Sequence, residues 1–132
     1  MLEKKIINTS KAPKAIGPYS QGVVSNGHIF LSGQIPLKKN GELCDASIQE
    51  QVELIFENIS HLLQTQNCTF QNIVKLTVFL KEIGDFDAVN SKMIELLEEP
   101  YPARSLIQAA ALPKNVDVEI EVIAGLNENG ER

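Results

Sequence analysis

Arg104 stands at the head of an uncharged run, Ser105-Leu106-Ile107-Gln108-Ala109-Ala110-Ala111, directly after Tyr101-Pro102-Ala103. A guanidinium entering such a strand must reach solvent or find a partner, and its planar fork of N–H donors suits bidentate capture of a carboxylate. That carboxylate belongs either to a structural ion pair or to a ligand. Glu119 sits in an alternating run in which Val118 and Ile120 take one side and Asp117, Glu119 and Glu121 the other. It reads either as one acid of a solvated face or as a carboxylate free to exchange protons with a reacting group. The third feature is Ala12-Pro13-Lys14-Ala15-Ile16-Gly17-Pro18-Tyr19-Ser20-Gln21. Its two prolines stiffen a loop that delivers Tyr19 and small polar groups to the start of a strand. It is either a structural turn or the wall of a site.

The remaining reactive side chains point to no cofactor and no metal. His28 and His61 each lack a second ligand three or four residues on, so no zinc-type pair exists. Cys44 and Cys68 are too few for a disulfide framework and have no metal-ligand spacing, so they read as buried or half-buried thiols of a reducing compartment. Gly17, Gly22, Gly27 and Gly33 are scattered singly and form no phosphate loop. Glu95, Glu98 and Glu99 read as a solvated helix face.

The 132 residues fit one domain, with a core over about 4–124 and a loose tail over 125–132. With 43% hydrophobic and 22% charged residues, the composition is globular. Twelve Lys and Arg against 17 Asp and Glu give a net charge of -5, and the lysines are scattered. Such a surface repels a phosphate backbone, so nucleic acid is a disfavoured partner. The N-terminus has no signal-peptide apolar core, and no apolar run is long enough for a membrane span. The expectation is a cytoplasmic protein.

The elements that must position these residues follow from periodicity. Residues 4–7 make an edge strand, and 19–25 and 28–34 make two strands joined by Asn26-Gly27, a pair suited to a type I′ hairpin turn. A loop over 36–46 turns at Asn40-Gly41. Ser47-Ile48-Gln49-Glu50 is a capping box, and Ile48, Val52, Ile55, Ile59, Leu62 and Leu63 form the stripe of an amphipathic helix over 47–66. The strand over 73–80 sets Val74, Leu76, Val78 and Leu80 against Ile73, Lys75, Thr77 and Phe79. Asp85 is expected to cap a second helix reaching about residue 98, with Phe86, Val89, Met93, Leu96 and Leu97 inward. Pro100 and Pro102 end it, and strands over 103–109 and 116–124 complete the chain. The order β-ββ-α-β-α-ββ describes an α+β sheet with two helices on one face. The other face, with Lys75, Thr77, Phe79, Glu119, Glu121 and Ile123, is half polar, as an oligomer interface or a ligand cavity would be.

Several stretches, taken in order, resemble the reactive intermediate deaminase (Rid, YjgF-like) family over nearly the whole chain. They are Ala15-Ile16-Gly17-Pro18-Tyr19-Ser20-Gln21, Ser32-Gly33-Gln34-Ile35-Pro36, Val74-Lys75-Leu76-Thr77-Val78-Phe79-Leu80, and Phe86 with Val89-Asn90. Pro102-Ala103-Arg104-Ser105, Leu112-Pro113-Lys114 and Glu119-Ile120-Glu121 follow. The resemblance implies a chorismate-mutase-like α+β fold, a homotrimer with clefts between subunits, and hydrolysis of 2-imino and 2-enamino acids to 2-oxo acids and ammonia without a cofactor. It implies that Arg104 grips the substrate carboxylate and Glu119 holds or activates the attacking water. Tyr19, Ser32 and Asn90 would line the cleft, with the backbone of Gly33 and Leu106 near the substrate's polar atoms. Arg104 and Glu119 would come from one subunit and part of the pocket from its neighbour. Three departures stand out. Leu106 occupies a position where many members carry cysteine, Met93 one where an aromatic is common, and the segment before Pro102 is a few residues shorter. Two other functions fit the same residues: a non-catalytic trimer that binds small carboxylates such as 2-oxo acids, and an RNA-cleaving or translation-inhibiting protein.

Overall fold

The computed structural model describes residues 2–128. Ser47 caps α1 (Ile48–Gln64): its hydroxyl accepts the Glu50 amide at 3.2 Å and donates to the Glu50 carboxylate at 3.1 Å. Of the expected stripe, Val52, Ile55, Ile59, Leu62 and Leu63 are buried and Ile48 partly so, and they are joined by Phe56, which meets Phe70 edge-on at 5.4 Å. The helix stops two residues before the expected end. Asn67 takes a left-handed φ of 56° and the Cys68 amide donates back to the Leu63 carbonyl, a closure that satisfies the last carbonyls.

Among the described residues the strands are β1 (Lys5–Ile7), β2 (Gly22–Ser25), β3 (His28–Gln34), β4 (Ile73–Leu80), β5 (Ala103–Gln108) and β6 (Val118–Gly125). They form one sheet in the order β1-β2-β3-β6-β4-β5. All pairs are antiparallel except β4–β5, which run parallel and are joined through the second helix, α2 (Phe86–Leu96). The β2–β3 turn has the expected left-handed pair, Asn26 at φ 52° and Gly27 at φ 80°. β6 lies between β3 and β4. Its Val118, Ile120, Val122 and Ala124 join Ile29, Leu31, Leu76, Val78 and Leu80 in one buried cluster with Val52, Ile55, Ile59 and Leu62 of α1. The α+β order and a single sheet with two helices are therefore as the sequence indicates.

Several local expectations are corrected. β2 starts at Gly22 rather than at residue 19, because residues 19–21 remain in the preceding loop. In β4, Ile73 pairs with Ala124 but Lys75 with Ile123, so Val74 is a bulged extra residue. The bulge turns Val74 outward, 50% exposed, and buries Ile73, the reverse of strict alternation. Asp85 precedes α2 but makes no side-chain cap, since a 3-10 turn over Ile83–Asp85 leads into the helix. Phe86 faces out, 40% exposed, rather than into the core, and α2 ends at Leu96. The tail expected to be loose is held at its start. Gly125 ends β6, the Leu126 amide donates to Gly27, and Asn127 donates to Asn67; residues 129–132 lie outside the described residues.

The face without helices carries rows in register. Ile6, Val23, Phe30 and Ile123 run across β1, β2, β3 and β6, and beyond them lie Glu121 with Thr77 and Ser105, then Glu119 with Phe79 and Ile107. No helix among the described residues is long and apolar enough to cross a membrane.

Candidate functional site

Glu119 projects from the open face of β6 toward the β3 neighbour, where the residue beneath it is Gly33. A methyl group built at position 33 would sit 2.9 Å from the Glu119 carboxyl carbon and 3.2 Å from its γ-carbon. With hydrogen there the carboxylate lies directly over the strand, and any larger side chain at 33 would push the Glu119 side chain aside. The pair lines a cavity of about 600 Å³ with Tyr19, Ser32, Lys114 and the loop residues from Pro13 to Ile16. Burial holds the Glu119 carboxyl above its ordinary pKa, and the charge of Glu121 adds to the effect. No ion pair with Glu119 offsets this among the described residues.

The loop over this cavity is fastened by Gln21, which the sequence reading placed in the loop motif without a role, and by the expected site residues Ser32 and Tyr19. Gln21 is buried, and its carboxamide accepts from the Thr9 amide at 2.7 Å while donating to the carbonyls of Thr9 at 3.0 Å and Pro13 at 2.9 Å. Its place between the loop and β2 was the available signal, because a buried amide must spend its donors and acceptors on neighbouring backbone. Ser32 donates its hydroxyl to the Ser20 carbonyl at 2.6 Å, and the Tyr19 hydroxyl accepts from the Ile16 amide at 3.3 Å. Lys114 reaches the cavity from a turn in which it and Asn115 both have left-handed φ.

Arg104 lies elsewhere. It pairs with the buried Leu76 across the parallel β4–β5 ladder and so points to the helix side, whereas Glu119 pairs with Phe79 on the open side. Its Nη1 donates to Asn90 Oδ1 on α2 and lies 3.7 Å from the Met93 sulfur. The guanidinium carbon stands 5.5 Å from the centre of the Phe86 ring, a cation–π contact that explains the outward turn of Phe86. No acid pairs with Arg104 among the described residues, so the structural ion pair is not what the fold provides. Arg104, Asn90 and Met93 line a second, apolar cavity of about 310 Å³ with Leu76, Leu97 and Pro102.

Within one chain the expected site residues thus fall into two groups. Tyr19, Ser32, Gly33 and Glu119 share the larger cavity, and Arg104 and Asn90 share the smaller. The two groups face opposite sides of the sheet, so one chain does not bring Arg104 and Glu119 together. Leu106, two residues along β5 from Arg104, lines neither cavity and packs against the core. Among the described residues no three His, Cys, Asp or Glu side chains converge as metal ligands would.

The fold thus sets a guanidinium without an acid among the described residues on one side of an α+β sheet and a half-buried carboxylate on the other. The family model described as Endoribonuclease L-PSP matches residues 9–126, and the chain belongs to this family, the Rid group that its motifs resemble. Among its relatives is the "Putative regulator AldR" of Lactococcus lactis, 48% identical over 91% of this chain and 96% of the relative. The 2-iminobutanoate/2-iminopropanoate deaminase of Capra hircus is 44% identical over 93% of this chain and 90% of the relative. Among solved structures, E. coli TdcF with bound serine superposes with a TM-score of 0.87 at 41% identity, covering 93% of this chain and 99% of that one.

Proposed function

We propose that this protein is a hydrolytic deaminase that converts reactive 2-imino and 2-enamino acids to 2-oxo acids and ammonia. The observation that carries the reading is the Arg104 guanidinium, oriented by Asn90 and Phe86 and left without an acid of its own among the described residues. Such a group is set for a ligand carboxylate, to which it offers two parallel donors. The deaminase relatives at about 44% identity and the serine bound to TdcF support an amino-acid-like ligand.

A protonated imine is already electrophilic, so the site needs orientation and a placed water more than a strong nucleophile. Glu119 takes a proton from water as its oxygen adds to the C=N carbon. The tetrahedral amino alcohol regains that proton on nitrogen, and the C–N bond breaks as the hydroxyl gives its own proton to Glu119. Ammonia leaves with the 2-oxo acid behind and carries that proton away as ammonium. The raised pKa of Glu119 suits a group that must both accept and return a proton.

The active unit on this reading is a homotrimer. One copy contributes the Arg104 side of the cleft, and a second contributes Glu119, Gly33, Ser32 and Tyr19. The open sheet face, with its row of Ile6, Val23, Phe30 and Ile123, is the surface a second copy would cover. The test couples an amino-acid oxidase to the purified protein and follows imine loss in the wild type, Arg104→Ala and Glu119→Gln. Arg104→Ala is expected to lower kcat/KM by roughly 10²-fold or more. Glu119→Gln is expected to lower kcat by about 10²–10⁴-fold while 2-oxo acid affinity is kept. The similarity to a protein described as a regulator favours a second reading, a carboxylate sensor on the same site. Binding of a 2-oxo acid through Arg104, with no imine accelerated by the wild type, would establish the sensor instead.

A further inference from the structure

We propose that a cavity beside α1 is a second, non-catalytic binding site, and that it takes a sugar phosphate monoester. The cavity, about 430 Å³, is lined by Lys11, Lys38, Lys39, Glu57, Asn58 and His61 among others, and shares no residue with either cavity of the candidate site. The lysines are scattered in the sequence, and the fold gathers three of them here although the chain as a whole carries -5. None of the three has an ion pair among the described residues. Against them the lining holds one acid, Glu57, which leaves the cavity at +2 with His61 neutral. A phosphate monoester, close to a dianion at neutral pH, balances that charge. The row of Ile6, Val23, Phe30 and Ile123 lies on the sheet face away from α1, so a second copy seated there leaves this cavity open.

The tertiary structure holds the lysine backbones in place. Lys38 and Lys39 ride a small hairpin closed by the Leu37–Leu43 bridge, in which the Lys38 amide donates to the Glu42 carbonyl at 2.8 Å. Buried Asn58 fastens this hairpin to α1 by donating to the Leu37 carbonyl at 2.9 Å. The Glu42 carboxylate accepts from Asn40 at 3.2 Å and pairs with neither lysine. Lys11 arrives from the N-terminal loop, where its amide donates to the Thr9 hydroxyl at 3.2 Å and Thr9 is tied to Gln21. The cavity also has hydrogen-bonding groups to spare. Nδ1 of His61 is the one buried side-chain nitrogen or oxygen left without a partner among the described residues. Gln64 donates its amide to Ser60 at 3.2 Å, which leaves its carbonyl oxygen to accept. Sugar hydroxyls donate and accept, and so match this pair, whereas inorganic phosphate engages the lysines alone. The volume is roughly fourteen times one water's share of the liquid, room for a phosphate with a body of pentose size.

The experiment titrates the purified protein with ribose 5-phosphate, inorganic phosphate and ribose, by calorimetry at low salt. Wild type is compared with Lys38→Ala/Lys39→Ala and with Lys4→Ala/Lys5→Ala, which changes net charge equally away from the cavity. All these lysines are exposed, so both double variants keep the fold. Ribose 5-phosphate is expected to bind with a Kd below about 1 mM and at least about tenfold more tightly than inorganic phosphate, and ribose not to bind. Lys38→Ala/Lys39→Ala should weaken the ester by about tenfold, and Lys4→Ala/Lys5→Ala by less than about twofold. His61→Leu should remove most of the ester's advantage over inorganic phosphate. Equal loss in the two lysine variants would mean a field of the whole surface and overturns the site. Absence of saturable ribose 5-phosphate binding overturns it too, and so does an ester no tighter than inorganic phosphate. A single strand of about ten nucleotides that binds through Lys38 and Lys39 where ribose 5-phosphate does not would replace the site by a polyanion surface. Imine hydrolysis should be unchanged in Lys38→Ala/Lys39→Ala, so the outcome stands apart from the deaminase reading.

Discussion

Replacing Gly33 by alanine isolates the placement of the Glu119 carboxylate from its chemistry. The new methyl would stand 2.9 Å from the carboxyl carbon and 3.2 Å from the γ-carbon, against about 3.4 Å for an ordinary contact. The carboxyl carbon must retreat by about 0.5 Å, and the nearer carboxylate oxygen, which lies closer still, by more. Residue 33 has no left-handed backbone angle, so alanine is conformationally permitted there. It even gains about 0.4–1 kcal/mol from a less flexible unfolded chain, which offsets the side-chain shift. Tm should therefore stay within about 4 °C of the wild type. Displacement approaching 1 Å can cost about 10²-fold in rate, or some 2.7 kcal/mol of transition-state stabilisation. The assay is kcat/KM for imine hydrolysis beside a thermal melt of the same preparation. Shortening the acid in Gly33→Ala/Glu119→Asp should recover part of the loss, so the two changes must be non-additive. A Gly33→Ala protein with kcat/KM within about threefold of wild type would refute the argument, as would strict additivity in the double variant.

Because Glu119 must be ionised to take a proton, and burial raises its pKa, the acid limb of the kcat/KM profile should lie above the ordinary glutamate value of 4.5 and disappear in Glu119→Gln. The same shift makes the charged form costly in the fold. Glu119→Gln should raise Tm at about pH 7.5, and the gain should vanish by about pH 3, where the wild-type acid is protonated in both states. Equal melting of the two proteins at the higher pH would show that burial does not strain this carboxylate. Ser47→Ala removes the cap of α1 and should cost about 1 kcal/mol, lowering Tm by about 4 °C without altering KM.

Much of the architecture is written in local pattern. The stripe from Val52 to Leu63 and the Ser47 cap make α1, Asn26-Gly27 makes the hairpin, and the alternation over 118–124 makes the central strand. Each depends on residues within a few positions of one another, where period and turn chemistry suffice. Where local pattern erred, a neighbour outside the window had decided. Val74 bulges because β6 offers Ala124 and Ile123 to Ile73 and Lys75, and Phe86 turns outward to lie against Arg104.

The residue types of the candidate site, an arginine without company and an acid opposite an aliphatic row, were legible from the sequence alone. Their arrangement was not. Arg104 is on the helix side because β5 aligns it with Leu76, and Glu119 is on the open side because β6 alternates about its own buried face. Nor does any local signal place Gly33 beneath Glu119, since the two are 86 positions apart and meet through strand pairing. Hydrophobic period tells a strand which of its faces is buried. Which strand lies beside it, and in what register, is settled by packing the whole sheet against its helices.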